Sequence, residues 1–328
     1  MPGGELGEGM IAPSTASPVG LEASTLLQPP MPSSGPAGSG PGSAAGALDA
    51  STGKIRREHL HQLVRSRTFI VGSIILLFWV VCALFGQFFE PSNPLAQNIL
   101  QANLKPSAAN WFGIDYLGRD VLSRVIAGSR DILIVAPLAT LLGTAVGTAI
   151  GLAQGYFGGI VDNVVGRIVE AVLALPVVIV AFLFVVAIGP SSRTLILVIG
   201  FVFALIISRT VRTAVLQERE LDYVAAASLR GEGAAHIMFA EILPNVLSPI
   251  LVEFTVRLGY AIFAIATLSF LGFGIQPPTP DWGADIANSY GYLGAGYWWE
   301  TLFPALAIAS LVVAVNLVSD SVESVLGQ

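Results

Sequence analysis

The stretch LDYVAAASLRGEGAAHIMFAEILPN, Leu221–Asn245, decides how this chain is to be read. It lies between two apolar runs that could cross a bilayer, yet it is too interrupted to span one itself. Ala225, Ala226 and Ala227 favour a helix. Gly231 and Gly233 break it, a second helical stretch follows, and Leu243-Pro244 closes the segment ahead of the next apolar run. The pattern therefore predicts two short helices hinged at Gly231-Glu232-Gly233. Gly233 can serve as the N-cap of the second, although Ser or Asp would do so better. Leu221, Val224, Ala225 and Ser228 fall along one side of the first helix and offer a shallow docking surface for another subunit. The other reading of the same residues is a helix lying on the membrane surface.

The rest of the chain supplies the membrane. Of its 328 residues, 54% are hydrophobic and only 12% are charged. A mean hydropathy of +0.74 excludes an ordinary soluble domain. Six segments are long and apolar enough to cross: Phe69–Phe89, Ile132–Gln154, Val169–Ile188, Leu195–Ile207 (extending toward Val215), Val246–Leu268 and Leu302–Val318. All are read as helices, because open strands would leave backbone groups unsatisfied in lipid. The expected class is thus all-α, a polytopic bundle of about six spans. Pro137, Pro176 and Pro249 lie within or at the ends of spans, where packed neighbours tolerate a kink.

Residues 1–53 are a separate regime dominated by Pro, Gly, Ala and Ser, with no basic residue before Lys54. They lack the positive start and continuous apolar core of a secretory signal and are expected to be a disordered tail. A basic segment over 54–68 leads into the membrane domain of 69–328, which carries an outer loop of about 90–130 and an inner segment of about 216–245.

Orientation follows from the basic residues. With the N-terminus inside, inner segments hold Lys54, Arg56, Arg57, Arg65, Arg67, Arg167, Arg209, Arg212, Arg219 and Arg230, and outer ones Lys105, Arg119, Arg124, Arg130 and Arg193. That bias places both termini, and the Leu221–Asn245 segment, in the cytosol of a cell-membrane protein. Tyr290, Tyr292, Tyr297, Trp298 and Trp299 cluster before the last span like an interfacial belt at the outer face.

Sites for chemistry are sparse. Gly53-Lys54 lacks both the upstream glycine and the following Ser or Thr of a nucleotide-binding loop, so any ATP-driven work needs a partner chain. A net charge of −6 without a basic patch argues against a nucleic-acid partner. Cys82, the sole cysteine, sits mid-span and reads as a small buried residue. His59, His61 and His236 form no metal-binding face, no catalytic constellation is visible, and Asp162 and Glu170 read as interfacial. Glu253 and Arg257, four apart within one span, share a helix face. They either form a structural pair or line a polar conduit. Gly143, Gly147 and Gly151 repeat at every fourth position and clear one helix face for close approach, either within the bundle or to a second chain.

These residues carry a resemblance. WFGIDYLGRDVLSRVIAGSR (Trp111–Arg130), GLAQGYFGGIVDNVVGRIVEAVLALP (Gly151–Pro176), ATLSFLGFGIQPPTPDWG (Ala266–Gly283) and WWETLFPALAIA (Trp298–Ala309) are similar to blocks of the inner-membrane permeases of ABC importers, of the dipeptide and oligopeptide DppC/OppC type. The likeness runs from about Arg65 to Asp320. The inner segment resembles that family's EAA motif, with Ala225, Ala226 and Ala227 at the EAA positions, Gly231 at the glycine and Leu243-Pro244 at the end. Ala225 replaces the acid, and Glu241 stands where the pattern has Ile.

The resemblance implies a type I importer permease of MetI-like fold that binds no cofactor itself. Its implied partners are a homologous second permease, two cytoplasmic ATPases that hold ATP and Mg, an external substrate-binding protein, and a peptide substrate. The same machinery could carry nickel, glutathione or another small solute. A stand-alone channel or secondary transporter would instead show inverted repeats and midplane charges, and no convincing repeat is found.

Overall fold

A computed structural model describes residues 66–326. The expected tail over 1–53 and the basic stretch to residue 65, with His59 and His61, lie outside the described residues.

Serine and aspartate set the helix starts, their side chains accepting hydrogen bonds from free N–H groups of the first turn. Ser66 opens α1 (Arg67–Phe89), Asp120 opens α2 (Val121–Phe157), and Asp281 caps a short helix introduced below. Between α1 and α2 the chain makes an extended loop with a single 3-10 turn at Ile99–Gln101. Then come α3 (Gly159–Leu173), α4 (Val177–Ile188) and α5 (Ser192–Arg219), the last capped by Ser191. Two short pieces follow: α6 (Asp222–Leu229), then α7 (Ala234–His236), which passes through a π-helical turn (Ile237–Ile242) into α8 (Leu243–Asn245). The fold closes with α9 (Leu247–Phe270), α10 (Trp282–Ser289) and α11 (Trp299–Leu326). Among the described residues there is no strand, only one isolated bridge between Ile114 and Asp120. α1, α2, α5, α9 and α11 are each long and apolar enough to cross a membrane, and α3 with α4 makes a sixth span if the bent pair is counted as one.

That pair corrects the expectation of a straight third span over Val169–Ile188: α3 and α4 meet at 91°. Pro176 has no N–H to continue the α3 ladder and sits at the start of α4 in an extended conformation. The 12 residues of α4 reach only about 18 Å, well short of a ~30 Å hydrocarbon core.

The second correction is at the start of α2. The expected outer loop of about 90–130 takes in Val121–Arg130, which the structure places in the first turns of α2. In the structure Arg124 is buried, with its guanidinium on the Asp285 carboxylate at 2.6 Å, so charge at this end of the helix does not mean solvent. Asp281, on the loop before α10, accepts from Ala284 N at 2.9 Å and from Ser269 Oγ at 2.8 Å. Burial pushes its carboxyl up from the ordinary value while those hydrogen bonds pull it back.

Packing turns on small residues. The stripe Gly143, Gly147 and Gly151 lies against α5 of the same chain, beside Gly200, Ala204 and Ser208 respectively. Gly72 lets α1 settle on the backbone of α11 at Ala314, and Trp79 Nε1 donates to Ser310 Oγ at 3.0 Å across the same contact. Cys82 is buried on that inward face of α1.

Candidate functional site

The segment from Leu221 to Asn245 folds as a hinged elbow. α6 opens at Leu221 without a side-chain cap, but Asp222 in its first turn suits the positive end of the helix dipole. It ends at Gly231, whose φ of +78° lies in the left-handed region. Gly231 N–H bonds to Ser228 O at 3.0 Å, and Glu232 N–H to Ala227 O at 3.3 Å. This nested pair is the closure that glycine favours at a helix C-terminus. Nothing lies within 4 Å of a Cβ placed on Gly231, so the requirement is backbone conformation and not space. Gly233 has an ordinary φ of −71° and equally open surroundings, so this chain gives no conformational reason for it.

The hinge sets which side faces inward. Val224, Ala227, Ile237 and Ile242 are buried and join the core, while Leu221, Ala225, Ala226, Leu229 and Phe239 are exposed. Of the residues expected on the open face, Leu221, Ala225 and Ser228 are exposed and Val224 is not. Val224 instead points inward at 3% exposure, and Ser228 Oγ donates back to Val224 O at 3.0 Å. Alanines on every side of so short a helix leave no periodicity from which to choose the inward face.

Leu243 packs partly buried against the core, and Pro244 sits exposed in the first turn of α8. The helix breaks at Val246, two residues after the proline expected to stop it, and the π-helical turn over Ile237–Ile242 runs directly into Pro244's turn.

Polar contacts hold the elbow shut. Tyr223 OH donates to Glu218 Oε2 at 2.7 Å and accepts from Asn245 Nδ2 at 3.1 Å. Glu241, the residue that departs from the motif, lies 3.5 Å from the Arg230 guanidinium, which also meets Glu232 at 2.7 Å. Arg230 is more than half exposed, so these pairs contribute at most ~1 kcal/mol each. They make Glu241 compatible with the hinge without fastening it.

Within the membrane, Arg257 Nε donates to Glu253 Oε2 at 2.9 Å, and Thr210 of α5 donates to Glu253 Oε1 at 2.8 Å. Both ends of the Glu253 carboxylate are therefore engaged. The pair still borders a cavity of about 410 Å³ with Ser248, Pro249 and Glu323, and the Arg257 guanidinium lies 5.6 Å from the centre of the Tyr260 ring. Glu253→Leu would leave Arg257 in the span without its counter-charge, at a cost of ~2.5–3.5 kcal/mol. We expect this variant to accumulate poorly in membranes and Glu253→Leu/Arg257→Leu to recover, as measured by quantitative immunoblot. Equal levels for the single variant and the parent would show that the pair has no structural role.

Sequence reasoning missed three buried or half-buried ion pairs: Asp115 with Arg119, Arg124 with Asp285, and Asp162 with Arg212. Only the first had a local signal, its i,i+4 spacing. The partners of the third are 50 residues apart, and the sequence reads Asp162, like Glu170, only as interfacial.

Apolar spans, a folded elbow between two of them and a charged pair within one span define a multi-pass membrane protein. The chain belongs to the family of binding-protein-dependent transport system inner membrane components, whose model matches residues 145–328. The N-terminal transmembrane domain of oligopeptide transport permease C matches residues 55–106. Similar proteins include the dipeptide transport system permease protein DppC of Escherichia coli K12, 40% identical over 82% of this chain and 92% of that protein. The Bacillus subtilis protein of the same name is 36% identical over 81% and 83%. A putative peptide transport system permease protein of Brucella suis is 34% identical over 81% and 89%.

Proposed function

We propose that this chain is one of two membrane subunits of an ATP-driven importer of short peptides, with its elbow in the cytosol as the grip for an ATPase partner. The observation that carries this reading is the elbow itself. Leu221, Ala225, Ala226, Leu229 and Phe239 make an exposed apolar row on a hinge whose other side is locked into the bundle. Such a row is suited to fill a cleft in another protein. A push on it would pass to α2 and α5, against which the π-helical turn carrying the almost fully buried Ile237 and Ile242 packs.

The peptide substrate rests on the names borne by the relatives. The remaining parts of the assembly follow from that reading: a homologous second permease, a binding protein that delivers peptide to the outer face, and two ATPases that hold ATP and Mg. Co-purification of an ATPase with this chain, and peptide-stimulated ATP hydrolysis in liposomes, test it. Stimulation by nickel or glutathione and by no peptide would move the substrate, and flux without any ATPase would remove the coupling.

The two sides of α6 separate docking from folding. Ala226→Glu should leave the chain at normal levels in the membrane yet abolish uptake while ATP hydrolysis continues. Ala227→Glu buries an unpaired charge at a position with 0% exposure and should deplete the protein itself. Gly231→Val forces a β-branched residue to φ +78° and should uncouple like Ala226→Glu. Normal uptake by Ala226→Glu would remove the elbow from the mechanism.

A further inference from the structure

A second polar cavity, of about 510 Å³, opens between the end of α2, α3 and the elbow end of α5. Small-ligand sites fall in the range of ~300–1,000 Å³. Asp162 and Arg212 line it but neutralise each other through paired hydrogen bonds. Arg167 and Glu170, three apart on α3, and Arg209 on α5 also line it, and among the described residues none of these three has an ion-pair partner.

Gln154 completes the wall. It is 3% exposed, its Nε2 lies 3.5 Å from Asp162 Oδ1, and its Oε1 has no hydrogen-bond partner. A buried acceptor left unpaired is costly, so a ligand that brings a donor to it gains. On the proposed topology Arg167 and Arg209 lie at the cytosolic end, and with Glu170 they are exposed, so the cavity opens to water there.

Two free guanidinium groups, a free carboxylate and an unmet carbonyl oxygen specify the complement: a carboxylate, an ammonium and an amide N–H on one small molecule. A short peptide with free ends carries all three. A phosphatidylethanolamine headgroup carries a phosphate and an ammonium but no amide N–H, so it has one donor group to share between Glu170 and Gln154. We propose that this cavity is a holding site for the free ends of a short peptide, its carboxylate on Arg167 and Arg209, its ammonium on Glu170 and a backbone N–H on Gln154 Oε1. The inference rests on the peptide-import reading above and adds to it a contact site on the permease itself.

The test uses the full chain assembled with its partner subunits in nanodiscs, with Thr213→Cys in a Cys82→Ser background as the reporter. Thr213 lines the cavity and is exposed, so the rate of maleimide alkylation there reads occupancy. Dialanine should slow alkylation, whereas N-acetyl-dialanine amide and inorganic phosphate should not. Glu170→Gln and Arg209→Gln should each raise the dialanine concentration needed by about tenfold, the loss expected for one charge-assisted hydrogen bond. Arg209→Lys should retain part of the effect.

If cells import dialanine through this assembly while alkylation is unprotected, the site is overturned and the import reading stands. Equal protection by phosphate or by the blocked peptide also overturns it. If neither uptake nor peptide-stimulated hydrolysis occurs, both readings fall.

Discussion

Gly147→Leu should prevent the chain from accumulating as a folded membrane protein. A Cβ on Gly147 would sit 2.7 Å from Ala204 O and 2.9 Å from Ile207 Cβ. On Gly151 it would sit 2.6 Å from Val211 Cβ and 2.8 Å from Ser208 O. Two of these four neighbours are backbone oxygens, which no rotamer change can move, so α2 and α5 must separate along their whole contact. Overpacking a tight site costs ~1–3 kcal/mol. A leucine adds three further carbons in the same gap, so the effect should exceed that range, and the Gly147→Leu/Gly151→Leu double variant should be worse than either. Without water's drive to association in lipid, this close approach is itself a main source of helix pairing. The check is the amount of full-length chain in the membrane fraction and its melting temperature in detergent. Gly291→Ala, where nothing lies within 4 Å, is the neutral comparison. A Gly147→Leu protein at parental level and melting temperature would mean that the α2–α5 contact is looser than described.

Asp285→Leu should be almost as damaging, by a different route. The Arg124 and Asp285 side chains are 6% and 10% exposed. Arg124 Nη2 reaches Asp285 Oδ1 at 2.6 Å, Nε lies 3.1 and 3.2 Å from the two carboxylate oxygens, and Nη1 donates to Pro94 O at 3.3 Å. One guanidinium thus ties the loop after α1, the start of α2 and α10 into one unit. Removing the acid leaves a buried guanidinium whose remaining hydrogen bond is to the Pro94 carbonyl, a change that costs ~3–5 kcal/mol. Arg124→Met/Asp285→Leu, which removes both charges, should recover much of this. Faster proteolysis of the loop between α1 and α2 in Asp285→Leu, reversed in the double variant, is the expected result. Equal loss in the single and double variants would show that packing, and not the charge, matters there.

Much of the membrane domain was legible because hydropathy is additive along a helix. Phe69–Phe89 and Val246–Leu268 fall within three residues of α1 and α9 at every end. The glycine break at Gly231 was equally plain, since a left-handed residue after a helix is a local requirement. What stayed hidden was set by distant partners. Arg124 reads as a loop residue until Asp285, 161 positions away, is beside it. The right angle between α3 and α4 has no compositional mark beyond Pro176, and a proline fixes where a helix breaks without fixing the angle. The inward face of α6 was undecidable for the same reason: it is chosen by Ile237 and Ile242 across the hinge, not by its own alanines. The cavity at Gln154 needed three helices to be brought together, each contributing residues that are unremarkable alone.

The sharp turn at Pro176 also sets what must surround it. Each helix end leaves up to four backbone groups without helical partners, and such groups are tolerated at membrane depth only against protein or water. The break between α3 and α4 is therefore stable only where protein covers it or water reaches it.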